Sequence, residues 1–213
     1  MTAESLCVAC LFEDEALLRE QLDLSDMFGA RTLVIITGGF EALKSAGHDG
    51  DIDYARSLLV ERLALAAELA DSYRVRLAFE PLHPMVCGFR SIVSTLQESL
   101  DILDQMDDSH DIGLAIDTYA LWWEHDLQEK LKRAGRRILN YHVSDWLADT
   151  RDLRLDRGMP GDGQIALCDW RHMIEAAGYF GPIEVEIFSR DRWWKTPAEK
   201  MIEEIIQRMN SAF

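Results

Sequence analysis

Positive charge is scarce in this chain. Its 213 residues carry 22 lysines and arginines against 38 aspartates and glutamates, a formal net charge of −16. Such a surface repels a phosphate backbone and argues against nucleic acid as a partner; the densest basic segment, 130–137, reads as a helix end. Long apolar runs are missing as well. No stretch reaches membrane-spanning length and the acidic N-terminal region lacks a charged-then-apolar leader pattern, so no membrane partner and a cytoplasmic location are expected. Cysteine is sparse: Cys7, Cys10, Cys87 and Cys168 are too few and too scattered for a disulfide framework. Cys7 and Cys10 have the spacing of a redox or zinc half-site, but no second pair follows, and their apolar segment reads as a buried strand. A phosphate-binding fingerprint is absent too. Gly161, Asp162 and Gly163 lack the strand-turn-helix context it requires and read as a turn.

What remains is ample for a core. Hydrophobic residues make up 48% of the chain, enough for a single globular domain over 1–213. Helical and strand-like patterns alternate with little else, the mark of an α/β protein with a parallel sheet. Strands are predicted at 6–11, 32–36, 75–79, 112–116, 138–143 and 183–188. Helices are predicted at 13–28, 51–73, 91–106, 124–134, 169–177 and 196–209. The longest, 51–73, places Leu59, Leu63, Ala66 and Ala70 on one face. Gly29, Gly135 and Gly178 each stand between a helix and the next strand, where glycine can end the helix in a left-handed conformation.

Chemistry gathers at the strand ends. Glu80, Asp117, His142 and Glu186 each sit at or near the end of an apolar strand-like run, and a barrel of alternating strands and helices brings all such ends to one face. Three carboxylates and an imidazole suit one divalent ion: Mn²⁺, Mg²⁺, Co²⁺ or Zn²⁺. Taken singly, each acid reads equally as a helix cap, and His142 as a core histidine. Glu184 competes with Glu186, because residues two apart share a strand face.

Five motifs in order then carry a family resemblance: Leu77-Ala-Phe-Glu-Pro-Leu-His-Pro84, Gly113-Leu-Ala-Ile-Asp-Thr-Tyr119, Tyr141-His-Val-Ser-Asp-Trp146, Asp156-Arg-Gly-Met-Pro-Gly-Asp-Gly163 and Gly181-Pro-Ile-Glu-Val-Glu-Ile-Phe188. Together they resemble the xylose isomerase-like TIM-barrel family, in its sugar phosphate isomerase/epimerase branch. The resemblance implies a TIM-type (β/α) barrel, a small sugar or polyol as partner, and metal ligation by Glu80, Asp117, His142 and Glu186. It implies that Glu80 and Glu186 are also the catalytic acid/base pair, and it favours Glu186 over Glu184 by its distance from Gly181. The reaction implied is isomerisation or epimerisation of a sugar or cyclitol, free or phosphorylated, through a metal-stabilised enediolate.

His83 follows Glu80 in the loop leaving the strand, placed to bond a substrate hydroxyl or to serve as a plain loop histidine. Arg157 resembles the family's substrate-contacting arginine, with a loop-fixing salt bridge as the alternative. Trp122 and Trp123, like Trp193 and Trp194, stand a few residues past a ligand strand, where aromatics either wall a sugar site or pack loops on helices; Trp122 is the substrate-binding candidate.

Two departures shape the expectation. Where the family has histidine three residues after the metal-binding aspartate, this chain has Ala120, whose methyl group neither donates a hydrogen bond nor carries a proton. About six βα units are present instead of eight, which predicts an incomplete barrel whose open edge is covered by a second copy or by rearranged termini. Besides the isomerase reading, an inosose dehydratase-like lyase, a non-catalytic metal or sugar binder, and a metal-dependent nuclease of the same fold stand as alternatives. The acidic charge weighs against the nuclease.

Overall fold

The computed structural model describes residues 3–107 and 109–212. Its frame is a single sheet of six parallel strands paired in sequence order: β1 Ser5–Cys10, β2 Thr32–Ile36, β3 Arg76–Phe79, β4 Ile112–Asp117, β5 Ile138–Val143 and β6 Glu184–Val185. The helices are α1 Glu15–Phe28, α2 Phe40–Ser45, α3 Ile52–Tyr73, α4 Leu96–Leu103, α5 Thr118–Leu121, α6 Leu127–Ala134, α7 Leu167–Ala176 and α8 Ala198–Ala212. The predicted fold holds: this is an incomplete TIM barrel, open between β1 and β6.

Local chemistry explains most boundaries. Asp14 and Asp51 accept backbone N–H bonds at the starts of α1 and α3, and Gly29, at φ 69°, ends α1 in the left-handed region. Thr95 caps α4, which begins five residues later than the helix expected from residue 91. Ser91 explains the delay. Its buried hydroxyl donates to the Val93 carbonyl and meets the Thr37 hydroxyl at 3.1 Å, tying 91–94 to the end of β2 as a loop.

The helix expected at 124–134 starts only at Leu127, because Glu124 is drawn away: its carboxylate accepts from the Leu96 N–H and from Lys130, both at 2.8 Å. The last strand is also shorter than expected. The Glu186 N–H still donates to the Val143 carbonyl, but the Phe188 carbonyl accepts from the Arg157 N–H, so the chain leaves the sheet for the neighbouring loop.

The core lies on the helix side of the sheet, in two clusters. One packs Leu33, Ile35, Leu77 and Phe79 under α1 and α3; the other packs Leu114, Ile116, Tyr141 and Val143 under α4, α6 and α7. The concave face has only a thin apolar layer of Val34, Ala78 and Ala115. One level nearer the strand ends that face turns polar, because strand alternation puts Glu80, Asp117 and His142 two residues beyond Ala78, Ala115 and Asn140. Across the open side, Ser5 Oγ donates to Glu184 at 2.8 Å, a side-chain bridge where a closed barrel would have backbone pairing. Among the described residues, no helix is long and apolar enough to cross a membrane.

Candidate functional site

The four strand-end residues converge. Carboxylate oxygens of Glu80, Asp117 and Glu186 lie within 4.8 Å of one another, and His142 Nδ1 is 3.4 Å from Glu80 Oε1 and 4.0 Å from Glu186 Oε2. Three of the four are buried, Asp117 at 0% exposed, His142 at 1% and Glu80 at 6%, and Glu186 is partly exposed. Glu184 sits on the same face, one level deeper. It accepts from Ser5 and Asn140, which ties it to the seam, and its Oε2 lies 4.0 Å from His142 Nε2, the ring nitrogen opposite the one that faces Glu80 and Glu186. Cys7 approaches the opposite nitrogen of the imidazole, with Sγ 3.8 Å from His142 Nε2; the four cysteines are free thiols.

Three carboxylates this close and this dry need positive charge. Arg157 supplies part of it, donating from Nη1 to Asp117 Oδ2 at 3.0 Å and to Glu186 Oε2 at 2.8 Å. Its guanidinium carbon stands 4.5 Å from the Tyr119 ring centroid and 5.1 Å from that of Phe188. Arg157 Nε is buried without a partner. Burial pushes the Glu186 carboxyl up to about 7 against the pull of Arg157, with Glu80 and Asp117 adding to the rise. Burial alone would lower the His142 pKa, but its bonds to Cys7 and Glu80 and the charges of Glu80 and Glu186 carry it well above the usual imidazole range.

This cluster fits a divalent cation. An ion bound to oxygen at about 2.1 Å brings its ligands to roughly 3–4 Å from one another, close to the separations found here, and its charge would offset the excess of buried carboxylate. Glu80, Asp117, His142 and Glu186 are the residues able to hold it, while Cys7, His142 and Glu186 form a second ligand-like group beside them.

Above the cluster is a cavity of about 260 Å³ lined by Glu80, His83, Tyr119, Arg157, Glu186 and Phe188, among others, with room for one small ligand. His83 stacks on Trp146 with centroids 4.8 Å apart. Its Nδ1 accepts from the Met85 N–H, which assigns the proton to Nε2, and burial lowers its pKa, so it is a neutral donor at pH 7. Ala120 also lines the cavity. Trp122 does not. It packs on Trp146 with centroids 5.5 Å apart, and the aromatic walls are Tyr119 and Phe188 instead.

Trp193 and Trp194 turn out to fasten loops, donating to Asp162 and to the Ile187 carbonyl. The Gly161 to Gly163 turn wraps Asp145, whose buried carboxylate accepts the N–H groups of Trp146, Gly161, Gly163 and Ile165. A side chain at Gly163 would run into the Trp146 carbonyl. A larger groove of about 960 Å³ runs along the outside past Cys10, Glu13 and Glu41, but it gathers no convergent ligating set.

Residues 14–212 match the model of the xylose isomerase-like TIM barrel. The chain belongs to that family. A crystal structure of a Sinorhizobium meliloti 1021 protein is similar to this xylose isomerase-like chain at 38% identity and a TM-score of 0.86, over 100% of this chain and 78% of that one. The IolI protein, crystallised with a zinc atom, is similar at 19% identity and a TM-score of 0.80, over 99% and 76% of the respective chains. A 3-keto-D-glucoside 4-epimerase from E. coli is similar at 16% identity and a TM-score of 0.71, over 99% and 79%. The last two likenesses speak for fold alone. No curated protein matches this family member in sequence.

Proposed function

We propose that this protein is a divalent metal-dependent isomerase or epimerase of a small sugar or cyclitol, free or phosphorylated. The observation that carries the reading is the convergence of Glu80, Asp117, His142 and Glu186 from successive strand ends beneath one small cavity. In this reading these four residues hold the ion, which is Mn²⁺, Mg²⁺, Co²⁺ or Zn²⁺. When bound, the ion draws electron density from a substrate carbonyl and its neighbouring hydroxyl and so acidifies the adjacent C–H.

The protein's own groups then move the proton. Glu186 Oε2 is engaged by Arg157, which leaves Oε1 as the atom that accepts a proton. Glu80 Oε1 faces His142, leaving Oε2 for the same task. Two carboxylates at different positions around the substrate can remove a proton on one side and return it on the other. His83 Nε2 donates to a hydroxyl, and Tyr119 and Phe188 close the site against water. Ala120 itself carries no proton, and in this reading the exchange is carried by Glu80 and Glu186. Beside it, an inosose dehydratase-like lyase would use the same carboxylates, and Ala120 favours a binder without turnover as a second reading.

One experiment separates these readings. The Mn²⁺-loaded protein is incubated in D₂O with a panel of ketoses, aldoses and inososes, and deuterium at the carbon next to the carbonyl is read by NMR. Incorporation lost in Glu186→Gln supports the isomerase. Loss of water from an inosose favours the lyase, and metal binding with no exchange on any substrate favours the binder. The unpaired outer edges of β1 and β6 suit cover by a second copy; a monomer in sedimentation velocity would remove that part of the proposal.

A further inference from the structure

Among the described residues, Arg90 and Arg154 are two cations in no ion pair of this acidic protein. Both line the 260 Å³ cavity and the outer groove, so they stand where one opens into the other. Among the described residues neither has a carboxylate within ion-pair distance, although the formal net charge is −16. Of the acids around them, Asp117 and Glu186 are paired with Arg157, Asp152 with Arg190, and Asp149 and Asp156 with Arg192, while Glu80 in the cavity and Glu13 and Glu41 in the outer groove form no ion pair with either arginine.

Both arginines ride on loops that are firmly held. The Arg90 N–H donates to the Val86 carbonyl, the next residue is the buried Ser91 tied to Thr37, and the Gly88 carbonyl accepts from the Phe40 N–H. Gly39 permits that approach, because a side chain there would strike the carbonyl of Phe89. Arg154 is set by Asp152, whose Oδ1 accepts the N–H groups of Arg154 and Leu155, while Tyr119 Oη donates to the Leu153 carbonyl. Half-burial of Arg90, followed by the charge of Arg154, lowers the Arg90 pKa against the smaller opposing pull of Cys10, Glu80 and Glu186. Two guanidiniums on held loops at one cavity mouth, neither engaged in an ion pair, leave their donors open to an anion from outside.

We infer that Arg90 and Arg154 form an oxyanion subsite of the cavity and that the substrate is a small polyhydroxy carbonyl compound bearing a phosphate ester or a carboxylate. The inference rests on the isomerase reading for the rest of the substrate. Paired guanidiniums offer planar forks to either anion, while the carboxylates at the strand ends leave the polyol portion to the metal side.

The test is calorimetric binding of ribulose, ribulose 5-phosphate and ribonate to metal-free protein, in which no ion can ligate the anion. One anion is expected to bind at least about tenfold tighter than ribulose, the effect of a charge-assisted hydrogen bond, and to weaken as salt rises. A preference for the phosphate or for ribonate tells which anion is meant. Arg90→Gln and Arg154→Gln should each remove about tenfold of that advantage over ribulose. Arg136→Gln, an equal charge change at an exposed residue on the opposite face, should remove none. Equal binding of all three compounds, or an advantage retained in the double variant, overturns the subsite. If ribulose 5-phosphate binds through the pair and no compound exchanges deuterium, the subsite stands and the isomerase reading falls. If ribulose exchanges and the anions gain nothing, the reverse holds.

Discussion

Toward the helices the sheet carries Leu33, Ile35, Leu77, Phe79, Leu114, Ile116, Tyr141 and Val143; toward the cavity the same strands carry Val34, Ala78 and Ala115, then Glu80, Asp117 and His142. The helix-facing side is continuous hydrocarbon and holds the fold. On the cavity side the side chains shrink to alanine and then become ionisable, which gives up apolar contact to make space and charge. The difference teaches that this scaffold separates stability from chemistry by strand alternation, with adjacent residues such as Phe79 and Glu80 serving opposite ends.

Substitutions can break that separation or sharpen it. Phe79→Ala, on the packed side, is expected to cost about 3–5 kcal/mol in urea unfolding; a cost under about 1 kcal/mol would mean that the helix-facing side does not carry the fold. Asp145→Ala, which strands four backbone N–H groups, is expected to cost about 2–3 kcal/mol and to loosen the 158–165 loop, read as faster proteolysis there. Glu186→Gln, on the cavity side, should shift stability by less than about 1 kcal/mol, because it also relieves carboxylate repulsion. The same variant should weaken Mn²⁺ binding and stop deuterium exchange. A large stability loss without loss of metal would make Glu186 a structural residue. At the small end, Arg171→Ala breaks an exposed pair with Glu175 and should change stability by about 0.3–0.5 kcal/mol.

Much of this was legible in the sequence, for a physical reason. The strands and their parallel order follow from apolar runs alternating with helical periods, and the four strand-end residues follow from the rule that parallel strands deliver their ends to one face. Strand-end position pointed to Glu80, Asp117 and His142, while the choice of Glu186 over Glu184 came from the family resemblance. The start of α4, the break before α6 and the shortness of β6 were not legible. Ser91 bonding Thr37, Glu124 capping a different helix, and Arg157 diverting Phe188 are contacts between residues far apart in sequence.

The cavity walls escaped for the same reason. Tyr119 and Phe188 stand two residues past Asp117 and Glu186 and could have been suspected, while the adjacent tryptophans drew attention by size. Arg90 and Arg154 left no motif at all. Their significance is the lack of a partner, which exists only in three dimensions.

The seam between β1 and β6 has a consequence for exchange with solvent. A closed barrel gives every strand two hydrogen-bonded neighbours, whereas here the ladder has two ends, joined among the described residues by the side-chain bridge of Ser5 to Glu184. Amide deuteration should therefore run as a gradient, slowest at β3 and β4 and fastest at β1 and β6. The wall that carries Cys7, and the wall that carries Glu186, would then be the parts of the molecule that breathe most.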